Sequence, residues 1–176
     1  MQIALGRKGD YSVRAMIDLA RHYGDGRRKA RQIARTMDIP ERYLPQLLAP
    51  LVRGGLLTAT AGPDGGYALA LPPTAISLLQ VIELAEGPLE SPECVLRGGP
   101  CDWEGICPAH DAWVGGRAAV ARHLELTTLA ELAERDAAIE RGDVAPPPVA
   151  LHPISVPRQG LRDSQQVAPK RRARAR

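Results

Sequence analysis

The stretch Gly54-Gly55-Leu56-Leu57-Thr58-Ala59-Thr60-Ala61-Gly62-Pro63-Asp64-Gly65-Gly66-Tyr67-Ala68-Leu69-Ala70-Leu71 decides how the rest of the chain is read. Leu56 to Thr60 and Tyr67 to Leu71 are apolar runs of strand length. Ala61 to Gly66 between them carries the Gly and Pro chemistry of a tight turn, so the two runs are expected to pair as a hairpin. Immediately upstream, residues 30–37 read as a short helix and Asp38-Ile39-Pro40 as a turn. A further helix runs from about Glu41 to Arg53, with Leu44, Leu47, Leu48 and Leu51 inward. Two short helices joined by a tight turn follow the helix-turn-helix plan, and a hairpin directly after them is a wing. Pro45 is tolerated if the helix starts near Tyr43, where its missing N–H would have no partner. Pro50 lies deeper, and a bend is expected there.

Working outward, Asp10 to Tyr23 reads as a first helix. Tyr11, Ala15, Leu19 and Tyr23 repeat every four residues, and Val13, Met16, Ile17 and Ala20 widen the stripe. Gly24-Asp25-Gly26 ends it, and Arg27-Arg28-Lys29 follows as a basic loop. Downstream of the hairpin, Pro72-Pro73 breaks the chain. Ser77 then caps a helix to about Glu86, which Gly87-Pro88 stops. A longer helix is expected from His110 or Asp111 to about Leu126. Thr128-Leu129-Ala130-Glu131 is a capping box that starts a last helix to about Arg141. The reading is mainly α with one small β-hairpin: a winged helix-turn-helix (1–73), a cysteine loop with dimerisation helices (74–143), and a Pro-rich basic tail expected to be disordered (144–176).

At 176 residues and 44% apolar the chain can bury one sizeable core, filled by Leu, Ala, Val and Ile because Phe is absent. No apolar run is long enough to span a membrane, and the N-terminus has no secretory apolar region, so a cytoplasmic protein is expected. The net charge of +3 is uneven: residues 1–71 carry +5, residues 72–143 carry −8, and residues 144–176 carry +6. A basic N-terminal part suits a polyanionic partner; ordinary solvated surface charge is the plain alternative.

All three cysteines lie in one segment, Cys94 to Cys107, with spacing C-x6-C-x5-C-x2-H ending at His110. Gly98, Gly99, Pro100, Gly105 and Pro108 rule out regular helix or strand there, so the segment is expected to be a loop. A loop can fold three sulfurs around one centre. Small core cysteines fit poorly with so polar a segment, and a disulfide would leave one thiol over. Thiolates suit iron–sulfur clusters and zinc alike. His110 could complete either set, although zinc loops use closer cysteine pairs.

These motifs stand in a telling order: Lys8-Gly9-Asp10-Tyr11, Ala15 to Ala20, Ile33-Ala34, Ile39-Pro40-Glu41-Arg42-Tyr43-Leu44, Gly55-Leu56-Leu57, Gly62-Pro63-Asp64-Gly65-Gly66-Tyr67, then the cysteine loop. The series resembles the Rrf2 family of bacterial winged-helix transcription regulators over about residues 1–135. The resemblance implies a homodimer paired through the helix at about residues 111–126. It also implies an iron–sulfur cluster on Cys94, Cys101 and Cys107. In the family's iron–sulfur assembly regulators a histidine at the His110 position completes a 2Fe–2S site. In its nitric-oxide sensors an aspartate of the partner subunit, matching Asp10, completes a 4Fe–4S site. Both residues are present here. The first cysteine interval is one residue longer than in the members it resembles.

The reading is therefore a DNA-binding transcriptional regulator, by family habit a repressor, whose promoter binding an iron–sulfur cluster controls. It is not read as an enzyme: no dinucleotide fingerprint or P-loop is present to support an iron–sulfur redox carrier. A zinc-stabilised winged helix is the other alternative. Lys29, Arg31, Arg35 and Arg42 are candidates for DNA phosphates. Arg42, Tyr43, Pro45 and Gln46 begin the helix that meets base edges, Gln46 being suited to adenine. Gly65 and Gly66 would bring the wing backbone close to the minor groove.

Overall fold

A computed structural model describes residues 5–89, 93–94, 99–100 and 107–144. The first helix, α1 (Arg7–Arg21), begins three residues before the expected Asp10 and ends two before Tyr23. Its buried face is Gly9, Ser12, Ala15, Met16, Asp18, Leu19 and Ala20, and the helix packs against the second, third, fourth and sixth helices and the second strand of the hairpin. Helix α2 (Ala30–Met37) buries Ile33, Ala34 and Met37, and ends where Asp38 turns left-handed at φ 53°. A short polar side chain tolerates that conformation.

The expected third helix is divided. Glu41–Tyr43 is a 3₁₀ turn, and α3 (Leu44–Arg53) follows with Pro45 in its first turn. The proline thus sits where no N–H is needed. The helix continues through Pro50 to Arg53; with no N–H on Pro50, the Gln46 carbonyl loses its usual helical donor. Leu44, Leu47, Leu48 and Leu51 face the core as the spacing requires.

The hairpin forms as β1 (Leu57–Thr60) and β2 (Gly66–Leu69), antiparallel, in a register running from Leu57↔Leu69 to Thr60↔Gly66. Helix α4 (Leu78–Glu86) carries the Ser77 cap: Gln80 N donates to Ser77 Oγ at 3.2 Å, and Ser77 N to Gln80 Oε1 at 2.9 Å. One expectation for the cysteine segment is corrected. Glu93–Cys94 (β3) and Gly99–Pro100 (β4) pair as a two-residue antiparallel ladder, Cys94 opposite Gly99. Gly and Pro do not forbid so short an edge pairing, which needs few backbone bonds. The expected disordered tail, residues 144–176, lies outside the described residues but for Val144.

After the cysteine segment come α5 (His110–Leu126) and α6 (Leu129–Arg141). The capping box at Thr128 forms with Glu131 as read from the sequence. Helix α6 returns to α1. Leu129 is fully buried, Arg21 reaches Asp136 at 2.9 Å and also pairs with Glu140, and backbone bonds join Ile76–Leu129 and Leu78–Thr127. These two carboxylates hold the Arg21 guanidinium pKa above its ordinary value, Glu140 contributing most. The core is continuous past residue 73: Ile76, Val81, Leu129 and Ala133 join Met16, Ile33, Met37, Leu44, Leu48 and Leu51 in one cluster. Helix α5 contributes nothing to it; none of its residues is buried.

Candidate nucleic-acid interface and cysteine segment

The mouth of α3 is where expected interface residues meet. Arg42 lies over the Tyr43 ring, 5.0 Å from its centroid, and its Nη2 donates to Tyr43 Oη at 3.3 Å. Each side chain limits the other's freedom, so both are presented as a unit. Gln46 follows within one turn and is exposed. Together they rim a groove of about 530 Å³ whose opposite wall is the start of α1: Arg7, Lys8 and Tyr11. Lys29, Arg31 and Arg35 are exposed on α2 and at its start.

Arg7 and Lys8 were not among the sequence-derived candidates. A signal for them was available. They occupy the first two positions of α1, where the helix dipole disfavours cations, and cations kept against the dipole point to an anionic partner.

The N-terminus of α1 also explains why the helix begins early. Gly6 offers no capping side chain. Instead Glu86, from the last turn of α4, accepts a hydrogen bond from Gly9 N at 2.6 Å. A Cβ on Gly6 or Gly9 would come within 2.9 or 2.7 Å of the Glu86 carboxylate. Glu86 therefore acts as an N-cap supplied from 77 residues away. Close by, Glu83 Oε1 accepts from Leu89 N at 3.2 Å. The corner of α4 is thereby pinned where the chain leaves for the cysteine segment.

On the wing, Gly65 is buried and Gly66 lies against Arg28. The exposed tip of the turn is Ala61 to Asp64. The glycines are required by packing at the root of the wing. A Cβ on Gly66, already at φ 147°, would sit 2.5 Å from the Arg28 carbonyl oxygen.

Of the expected cluster ligands, Cys107 is free and half-buried, one turn before the exposed His110, whose N–H donates to the Cys107 carbonyl at 3.0 Å. Asp10 stands in the first turn of α1, where Oδ1 accepts from Arg14 Nε at 2.9 Å; its carboxylate is 43% exposed. The Cys94 side chain and all of Cys101 lie outside the described residues. Among those described, no three His, Cys, Asp or Glu side chains gather around a common centre. The donor chemistry fits a thiolate-held group: a free thiol, an exposed imidazole one turn away, and a chain reversal at β3–β4 that turns the segment back after Cys94.

Comparison with known proteins agrees with this architecture. Residues 5–135 match the Rrf2 family, described as an iron-dependent transcriptional regulator. The chain is 36% identical over 129 residues to the HTH-type transcriptional regulator CymR of Bacillus subtilis (strain 168), covering 73% of this chain and 88% of that protein. It is 32% identical over 139 residues to the HTH-type transcriptional regulator IscR of Yersinia pseudotuberculosis, covering 79% and 84%. The solved structure of CymR, the global cysteine regulator of B. subtilis, superposes with a TM-score of 0.66 at 35% identity over 76% of this chain and 98% of that one.

Proposed function

The chain belongs to the Rrf2 family of transcriptional regulators, and from that premise we propose that it is a promoter-binding repressor, acting as a homodimer, whose DNA affinity an iron–sulfur cluster controls. The observation that carries the DNA part is the groove at the mouth of α3. It gathers Arg7 and Lys8 from the start of α1, Arg42 and Tyr43 from the 3₁₀ turn, and Gln46 from α3, and the core fixes the two helices against each other. Arg7, Lys8, Lys29, Arg31, Arg35 and Arg42 serve phosphates, and Gln46 reads a base edge. The dimer forms through α5, whose Val114 and Leu126 are exposed in the single chain. It sets two wings and two α3 helices on a palindrome, half-sites about one helical turn apart.

Cys94, Cys101 and Cys107 would hold the cluster, with the fourth position taken by His110 of the same chain or Asp10 of the partner. When bound, the cluster supplies a centre sensitive to oxidants or nitric oxide. The protein's own part is mechanical. Glu83 and Glu86 pin the end of α4, and Glu86 caps the α1 wall of the groove, so a displaced cysteine segment pulls on the surface that meets DNA. This is a shift between populations of one fold.

Anaerobic purification tests the reading. Brown protein with iron and acid-labile sulfide that Cys107→Ala bleaches, and a gel shift that changes on cluster removal, support it. Colourless protein holding stoichiometric zinc would sink the cluster part and favour a zinc-stabilised winged helix. The fourth ligand is assigned by which of Asp10→Ala and His110→Ala alters the visible spectrum.

A further inference from the structure

The wing has no cation of its own. From Leu56 to Leu71 there is no Lys or Arg, and the one charged residue is Asp64. DNA is held mainly through cations on its phosphates, so a wing of this composition must take its charge from elsewhere. The segment lying against β2 is Arg27-Arg28-Lys29. Arg28 exchanges both backbone hydrogen bonds with Tyr67, each 2.8 Å, and so adds a one-residue third strand to the hairpin.

Neighbouring side chains of an extended segment face opposite ways. Arg28 turns inward. Its Nε and Nη2 donate to the two carboxylate oxygens of Asp18 at 3.0 and 2.9 Å, and Nη2 also donates to Thr36 Oγ1 at 3.2 Å. Asp18 is fully buried. A buried carboxylate deprived of its partner is costly, so this guanidinium is not free to swing to a phosphate. One residue thereby joins α1, the last turn of α2 and the wing. Arg27 and Lys29 turn outward and are exposed, with Arg27 Nη1 donating to Thr58 Oγ1 on β1 at 3.2 Å.

We propose that Arg28 is the positioning residue of the wing, and that Arg27 together with Lys29 supplies the phosphate-binding cations the wing lacks. This rests on the DNA-binding reading above and deepens it by assigning Arg27 and by giving Arg28 a role distinct from its charge.

The test uses the full chain and the duplex that the wild-type protein enriches from a random-sequence pool. Binding is followed by fluorescence anisotropy over a salt series, and contacts by hydroxyl-radical footprinting. Wild type should protect the centre of each half-site and the flanks beside it. Arg27→Gln/Lys29→Gln should lose the flanks, keep the centre, and lower the salt slope by about two. Arg28→Lys keeps the formal charge but cannot make the two-pronged bond; it should lose the flanks as well. Asp18→Leu/Arg28→Met removes one charge of each sign and guards against a fold lost to an unpaired Asp18. It should melt cooperatively and still lose the flanks, at unchanged net charge.

Folded Arg28 variants that bind and protect as wild type overturn the proposal, as does an unchanged slope in Arg27→Gln/Lys29→Gln. A wild-type footprint with a centre and no flanks overturns it too, and leaves the α3 reading standing. If instead the flank results hold while Arg42→Ala and Gln46→Ala leave the centre protected, the α3 reading falls and the wing anchor stands.

Discussion

Helices α3 and α5 make opposite use of their sequences. The ten residues of α3 bury four leucines, whereas the seventeen of α5 bury none. The position of α3 is settled inside one chain, because its apolar stripe meets α1, α2 and the root of the wing. Helix α5 leaves Val114 and Leu126 at 41% and 70% exposure. It runs beside α4, and the Thr127–Leu129 connection ties its C-terminal end to Ile76 and Leu78. A DNA-reading surface has to be rigid to read a register. On the proposed reading α5 joins two subunits and is completed only by its partner.

The contrast breaks most sharply under core substitution. Leu48→Ala in α3 should cost about 2–5 kcal/mol by opening a cavity, read as a large fall in the denaturation midpoint. Val114→Asp in α5 should leave the fold of each chain intact while sedimentation shows a monomer. If the α5 variant stayed dimeric, or melted as early as the α3 variant, the two helices would not differ in the way described.

How far the sequence discloses the fold depends on where each determinant lies along the chain. The caps of α4 and α6 were legible because Ser77–Gln80 and Thr128–Glu131 are local pairs. The start of α1 was not, because its cap is Glu86, a distant residue that no window around Gly6 contains. The run Arg27-Arg28-Lys29 reads as a basic loop, with Lys29 a candidate for phosphate, and nothing in it says that the middle residue pairs with a buried Asp18. Gly66 reads as a turn glycine for the same reason: its neighbour Arg28 arrives from another segment. The helix-turn-helix order puts Arg42, Tyr43 and Gln46 together at the start of α3, where they line the groove, whereas the α1 wall of that groove needed the fold.

The next largest effect sharpens the division of labour within the rigid half. Gln46→Ala should relax specificity at one base-pair position by about 1–3 kcal/mol. Arg35→Ala should weaken every sequence alike and lower the salt slope by about one. A selection profile unchanged by Gln46→Ala would place base reading elsewhere on the groove.

Smaller again is the effect at the corner linking the two halves. Glu86→Ala removes the cap of α1 and should cost about 0.5–2 kcal/mol. It should also speed amide exchange at Gly9, whose N–H loses its acceptor. Gly6→Asp in that background supplies a local cap, since the extended Gly6 backbone (φ −63°, ψ 171°) accepts an ordinary residue and the clashing carboxylate is gone. Stability should return. If Glu86 does no more than cap, the DNA response to cluster removal returns with it. If the corner transmits strain from the cysteine segment, stability returns and the response does not.

The smallest effect has the opposite sign. Among the described residues, Ser12 Oγ is the one buried side-chain polar atom without a hydrogen-bond partner, on the α1 face that also carries Gly9 and Met16. A hydroxyl in that position gave up its water for nothing in return, whereas a methyl in the same volume has nothing to lose. Alanine is also the better helix former. Ser12→Ala should therefore stabilise the protein by about 1 kcal/mol, a rise in melting temperature of roughly 3 °C for a domain of this size, with DNA affinity unchanged. A fall in melting temperature would mean that the hydroxyl is bonded in solution, by a trapped water or by the carbonyl one turn back. Ser12 would then be a second satisfied polar group on the face of α1 that already buries Asp18, and the contrast with the exposed α5 would rest on the leucines of α3 alone.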